Sequence, residues 1–341
     1  MKIWKHGPLD AAFVVLSLGQ LGATLWLAGS WDGASPAARA GGFALLVAMM
    51  TYNIIIISHL FTHVAWFESR TLNRLASMLN SINIGQSAQA YELTHVRNHH
   101  RYNNDAAGPG GLTSDTSSTF RGGSGGDHIG LLRYAFGGAL STLGDVTCDL
   151  AKLFGIPVGR GREDRLHKLT SKSPDKRARE IGQLRLDRAA QLAALVVFAV
   201  ISWRWTVACY LPAFYLALAM VNVQNYHEHY GAMPGNRFAN SVSYYGRLYN
   251  LLTFNDGYHQ EHHLQSGAHW RTMPRIRETY RAQLDGVERI VSPVPAIVGF
   301  LHRGRAQLHR RTATQAEAEA SVVAAMIATE PELASEGIGH D

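Results

Sequence analysis

The chain has 341 residues, a formal net charge of +6 and 46% apolar residues. Its two cysteines, Cys148 and Cys209, are too few for a disulfide framework or an iron–sulfur cluster. The basic excess comes with no nucleic-acid-binding module and fits loops beside anionic lipid.

The apolar residues are concentrated in a few stretches. Ala11 to Gly29 carries no charge, and neither does Gly41 to His63. Two more apolar segments, 189–203 and 206–226, are separated by Arg204 between Trp203 and Trp205. Each approaches the ~20 residues needed to cross a bilayer, the third being short. Four spans in two tight hairpins are therefore expected, with the tryptophans at the tips. Lys and Arg cluster before Ala11, between the hairpins and after His227, so the positive-inside rule predicts cytoplasmic termini and a cytoplasmic central segment, as in a bacterial inner membrane. No cleavable signal peptide is expected, because Ala11 to Gly29 is too long for an h-region and no small-residue cleavage site follows.

Between the hairpins, the apolar stripe Leu72, Leu75, Ala76, Leu79, Ile82 predicts one helix over 73–101. The Gly/Ser/Thr-rich stretch 106–127 reads as a mobile surface loop. Residues 129–154 read as an amphipathic helix at the membrane interface, and 160–188 as a charged helix leading into the third span. Residues 1–311 form a single expected domain. The Ala/Glu-rich tail 312–341 is expected to be helical and is assigned no chemistry.

Four short histidine clusters stand out: His59-Leu-Phe-Thr-His63, His95-Val-Arg-Asn-His99-His100, Asn225-Tyr-His-Glu-His229-Tyr-Gly231 and His259-Gln-Glu-His262-His263. Residues four apart share a helix face, so His59 pairs with His63 and His95 with His99. His259, His262 and His263 can converge on one point. So many buried imidazoles without partners would be costly, whereas neutral imidazole is a good ligand for Fe, Zn, Cu or Ni. Two clusters end apolar spans and two lie in the segments between and after them, so all four can meet at one mouth of the bundle. The histidine-only pattern argues against the soluble carboxylate-bridged di-iron fold, which needs Glu and Glu-x-x-His pairs.

Over residues 11 to 265 the sequence resembles the membrane-bound fatty acid desaturase superfamily. The boxes here have the forms HxxxH, HxxxHH and HxxHH, and Asn225-Tyr-His-Glu-His-Tyr-Gly231 is similar to the NYxEHYG box of alkane monooxygenases. The last box lacks the surroundings found in those enzymes. The resemblance implies an all-α integral membrane protein with a cytoplasmic helical cap over a di-iron site. Its nine ligands would be His59, His63, His95, His99, His100, His229, His259, His262 and His263. It also implies that Asn225 lies near a metal, and it leaves His227 as a candidate extra ligand. Metal-bound histidines usually donate their other N–H to a carboxylate or carbonyl, which makes Glu92, Asp105, Glu228, Asp256 and Glu261 candidates for that role. His6, His128, His167, His269, His302, His309 and His340 read as surface or structural.

The implied reaction is O2-dependent desaturation or hydroxylation of a fatty acyl or alkyl chain, in lipid metabolism. The chain has no rubredoxin-like cysteine pairs, haem module, or flavin or nicotinamide fingerprint, so electrons would come from a separate ferredoxin, rubredoxin or cytochrome. Oxidative decarboxylation of a free fatty acid to a terminal alkene is an alternative, and it would use Arg97 or Arg101 to hold the carboxylate. A carotenoid hydroxylase or ketolase, and a membrane metal transporter, are further alternatives. A transporter, however, would line a path near the bilayer midplane rather than close a cage at one end.

Overall fold

The computed structural model describes residues 2–310; the expected tail at 312–341 and His340 lie outside them. Among the described residues every regular element is helical, and the only β pairing is at two isolated bridges. Three helical runs are long and apolar enough to cross a membrane: Pro8–Gly33, Pro36–His63 and Pro174–His229. The first contains α1 (Ala11–Ser30). The second is α2, started by Ser35, whose hydroxyl accepts from the Ala38 amide, and by Pro36 at its first position. It widens into a π-helical stretch over Asn53–Ser58 just before the first histidine box.

The next segment departs from the single helix expected over 73–101. α3 (Arg70–Ile84) stops at Gly85, which adopts a left-handed φ of 68°, and α4 (Ala88–Thr94) starts afresh with Ser87 as its cap. Gly85 permits this turn, and a Cβ there would also stand 2.8 Å from the Phe214 ring. α4 runs through a second π-helical stretch, His95–His99, to Tyr102. α5 (Gly138–Ala151), entered through a π-helical turn at Arg133–Gly137, occupies the expected amphipathic region. Its outer face and the turn before it expose Leu132, Phe136 and Leu140.

The charged segment is not one helix. α6 (Arg160–Leu169) ends before α7 (Pro174–Trp205), which restarts at Pro174. The charged half of α7 is partly inside the protein. The buried Asp187 accepts from Ser77 and Ser87 hydroxyls, the Gln89 amide and Gln183 Nε2, at 2.7–3.1 Å. One carboxylate thus ties α3, α4 and α7 together and positions the helix that carries the second histidine box.

α7 loses helical geometry at Ser202 (φ −156°, ψ 99°). The Phe198 and Tyr210 rings lie 5.2 Å apart, whereas twelve residues of straight helix would separate them by about 18 Å. The chain therefore turns back near Ser202 and continues as α8 (Leu211–His229). Trp205, Phe198, Tyr210 and Phe214 from this reversal pack with Leu46, Met50 and Ile54 of α2 in the largest apolar core. Two short helices follow, α9 (Arg247–Leu252) and α10 (His259–Leu264), the latter carrying the last histidine box.

Candidate metal centre

The histidine boxes reach one place from four directions: the end of α2, the end of α4, the end of α8, and α10. His59, His63, His95, His100 and His262 form one group with ring nitrogens within 4.8 Å of one another; His99, His229 and His263 form a second. His259 stands beside the second, its Nε2 3.4 Å from that of His229. The nine histidines expected from the sequence are thus brought together; His59 and His63 share a group as their spacing suggested, but the other pairings differ. His95 and His99 stack at 5.2 Å and belong to different groups. The last box also splits, with His262 in the first group and His263 in the second. A π-helical turn at His95–His99 and adjacent positions on α10 aim neighbouring side chains apart, which an ideal helical repeat does not anticipate.

The distances fit metal ligation. His262 and His100 approach to 3.0 Å between Nε2 atoms, His100 and His95 to 3.1 Å, and His59 and His262 to 3.2 Å. A metal–nitrogen bond of about 2.0–2.1 Å puts two adjacent imidazole ligands roughly 3–3.5 Å apart. Burial holds His95, His100, His259, His262 and His263 well below the ordinary imidazole pKa, and neighbouring imidazoles add to the effect. These rings are neutral at pH 7, the form that binds metal. The buried Nε2 atoms of His99 and His263 have no hydrogen-bond partner, as expected of nitrogens reserved for an ion.

In the second group all three rings are oriented through Nδ1. His99 Nδ1 lies 2.7 Å from Asp115, His229 Nδ1 3.2 Å from the Asn240 carbonyl, and His263 Nδ1 2.9 Å from Asn103 Oδ1. Asp115 is fully buried, and its position corrects the expectation of a mobile surface loop over 106–127. It also accepts from the Asn104 amide and from the Ser117 amide and hydroxyl. The His99 contact and these donors hold its carboxyl well below the usual range despite burial. Asn103 and Asn104 both adopt left-handed φ values, 48° and 58°, which Asn tolerates better than most residues. This kink delivers one side chain to His263 and the next amide to Asp115.

The expected supporting carboxylates fare unevenly. Glu228 lies 3.6 Å from His259 Nδ1 and Asp256 3.9 Å from His59 Nδ1, close enough for charge interaction but too long for hydrogen bonds. Burial pushes Asp256 up to about 6. Asp105 instead accepts from the Ser114 and Asp115 amides, so it shapes the loop that carries Asp115. Glu261 accepts from Ser243 and Tyr245 rather than from a histidine, and Glu92 from Gln89. Asn225 donates to Tyr134 Oη and the Ser117 carbonyl. His227 is buried but belongs to neither group; its ring lies against Gly299. Gly231, which closes that box, has φ 82°, and a Cβ there would stand 2.3 Å from the Ala306 carbonyl. Arg97 is occupied: both terminal nitrogens bond Glu180, and Nη1 also donates to the Leu169 carbonyl. Arg101 lies over the Tyr102 ring. Neither lines the cavity described next, so neither is placed to hold a carboxylate there.

A cavity of about 740 Å³ opens onto the centre. Its floor includes His59, His95 and His259, its walls include Ile55, Ala90, Tyr91, Tyr134 and Val221, and one side is the Gly138, Ser141, Thr142, Asp145 face of α5. That volume is typical of a ligand site. Comparison with known proteins then decides the family: the profile of the family described as fatty acid desaturase matches residues 35–292, a stretch containing all four boxes. The chain belongs to the fatty acid desaturase family. A search of curated proteins finds no match. As a desaturase-family protein it is an oxidoreductase of fatty acyl chains from an iron-dependent family, and its histidine groups could hold metal. The apolar helices are those of a membrane protein.

Proposed function

We propose that this desaturase-family protein is an O2-dependent di-iron oxidase that removes hydrogen from an unactivated C–H bond of a fatty acyl or alkyl chain, giving a double bond or an alcohol. The observation that carries this reading is the cavity of about 740 Å³ whose floor is formed by His59, His95 and His259. It offers a chain-sized space ending at two groups of imidazoles, five in one and, with His259, four in the other. Two irons held by these nine histidines would supply, with O2 and electrons from a separate ferredoxin, rubredoxin or cytochrome, the power to oxidise the bound chain.

The remaining residues act by positioning and by excluding water. Ile55, Ala90 and Val221 give the chain an apolar wall. Asp115 holds His99 in one tautomer and orientation. Tyr134, tied to Asn225 and the Ser117 carbonyl, braces the cavity wall.

We place four spans in the bilayer, because the 56-residue run Pro174–His229 turns back at Ser202 and offers an arm on each side. The positive-inside rule then puts the termini and the metal centre on the cytoplasmic side. The exposed Leu132, Phe136 and Leu140 suit an interfacial position beside the cavity.

The test is gas chromatography–mass spectrometry of lipids, free acids and volatiles from cells expressing the protein or its His262→Ala variant, with iron measured in both purified proteins. An unsaturated or hydroxylated chain made only by the intact protein supports the proposal. Bound iron with no oxidised chain, when a donor and O2 are supplied, overturns it.

A further inference from the structure

His128 lies outside the four boxes, yet both of its ring nitrogens are bonded. Nε2 stands 3.0 Å from the Gly231 amide and Nδ1 2.7 Å from Thr119 Oγ1. A backbone N–H can only donate, so Nε2 accepts. Burial keeps the ring neutral by pulling its pKa down to about 3, so the one ring proton sits on Nδ1 and is donated to Thr119. The Thr119 hydroxyl then donates to Asn104 Oδ1 at 2.9 Å, beside the Thr119 amide at 2.7 Å. The Asn104 amide donates to Asp115 at 2.9 Å, to the same oxygen that lies 2.7 Å from His99 Nδ1. Thr119, Asn104 and Asp115 are fully buried, so solvent cannot substitute for a broken link.

The chain joins two histidines that arrive on different helices. One end, Gly231, follows His229 by two residues, and its carbonyl accepts from the Leu308 amide at 2.7 Å. The other end is His99, in the π-helical stretch that continues α4. Next to Asn104, Asn103 holds His263. Asp115 orients His99 only as firmly as its own backbone is held, and that backbone belongs to a glycine-rich stretch with much conformational freedom to lose. His128 is itself clamped: it stacks on Phe120 at 4.0 Å and packs against His309 at 4.4 Å, and Asp127 holds His309 at 2.7 Å. Another link between α8 and this loop, from Asn225 to the Ser117 carbonyl, is longer at 3.4 Å. We infer that His128 is a positioning residue of the second histidine group: it ties the turn after His229 to the loop that supports His99 and His263, and so fixes the spacing of all three. The inference rests on the proposed reading of that group as an iron site.

The experiment is anaerobic titration of isotopically enriched ferrous ion into the metal-stripped full-length protein in neutral detergent, with Mössbauer spectroscopy separating the two sites. His262→Ala and Asp115→Ala assign one signal to each histidine group. His128→Phe keeps a ring on Phe120 but removes both hydrogen bonds. It should weaken iron at the Asp115-dependent site about tenfold, the lower end of the range for a partner of a metal-bound histidine, and leave the other site unchanged. Thr119→Val, which removes the acceptor of the His128 proton, should do the same. The double variant should lose no more than either alone, because one chain cannot be broken twice. His309→Phe, which removes the Asp127 contact but keeps a ring against His128, should leave both sites unchanged. Thermal unfolding checks that each variant is folded; if His128→Phe is not, Thr119→Val carries the test.

Unchanged iron affinity in folded His128→Phe or Thr119→Val overturns the inference. So do equal losses at both sites, losses that add in the double variant, and an equal loss in His309→Phe, each of which would mark a general packing role. These outcomes leave the iron reading intact. An unsubstituted protein that takes up no iron overturns that reading, and the inference with it.

Discussion

The two histidine groups are built differently. In the second group, His99, His229 and His263 each turn Nδ1 to a fixed partner, namely Asp115, the Asn240 carbonyl and Asn103. In the five-membered group, His59 has such a partner in the Ile55 carbonyl at 3.0 Å, and the other closest contacts are imidazole to imidazole at 3.0–3.2 Å. Two neutral rings facing each other can form one hydrogen bond at most, because each has one donor and one acceptor. The second group is thus oriented by the protein, whereas the first needs an ion to complete it. Preorganisation and dependence on metal are shared unequally between two sites that touch.

This contrast can be broken by experiment. The largest effect is expected from His262→Ala, which removes the ring that contacts both His59 and His100; activity should vanish, and metal analysis should show the first site emptied. If iron remains at the wild-type level, the first group is not the metal site proposed here. Asp115→Ala should act on the other side of the contrast, lowering activity or metal affinity about 10–100-fold through the second site. Asp115→Asn should recover part of the loss, because it can still accept from His99. A loss no larger than that from Asp105→Ala would show that Asp115 merely shapes the loop.

The acid response is next in size. His95, His100, His259, His262 and His263 are held by burial below their unfolded value of about 6.5, so near pH 6 the unfolded chain binds protons that the folded metal-free chain does not. Their contribution to stability is therefore present above pH 6.5 and falls as pH drops below it. Asp256, raised to about 6, works in the opposite direction, losing stability as pH rises through that value. Burial also raises Glu92, Asp187 and Glu228, which act in the same direction as Asp256; the five rings still outnumber these four carboxyls, so the melting temperature of the metal-free protein should fall between pH 7.5 and 5.5. A melting temperature that rises over that interval would contradict the buried neutral cage. The smallest effect concerns Arg97→Ala. It should cost about 2–3 kcal/mol by leaving Glu180 buried and unpaired, below the range for fully enclosed pairs because Arg97 keeps some solvent contact. The preference between fatty acid and alkane should not change. A selective loss of acid substrates would restore the carboxylate-anchor role of Arg97.

Much of this was readable along the chain because the signals are local. A charge-free apolar run and histidines at three- and four-residue spacing report on one helix at a time. The helical break at Gly85 was readable in principle from the glycine, but the apolar stripe leading up to it suggested one continuous helix. What fixes glycine at this turn is partly remote: the Phe214 ring, which arrives from a helix more than a hundred residues later, leaves no room there for a side chain. Asp115 gave no such signal. It sits in a Gly/Ser/Thr stretch that looks mobile by composition, and it is fixed only by His99, Asn104 and Ser117 around it. Arg97 suggested a substrate contact because nothing local revealed Glu180 on α7.

By itself, then, the sequence determined the histidine boxes, the apolar runs and the family, since each depends on residue type at short, regular intervals. Tertiary structure decided which histidines share a group and which carboxylate orients His99. Those outcomes depend on where separate helices cross, and crossing is set by long-range contacts such as the Asp187 tie between α3, α4 and α7, which no local periodicity encodes.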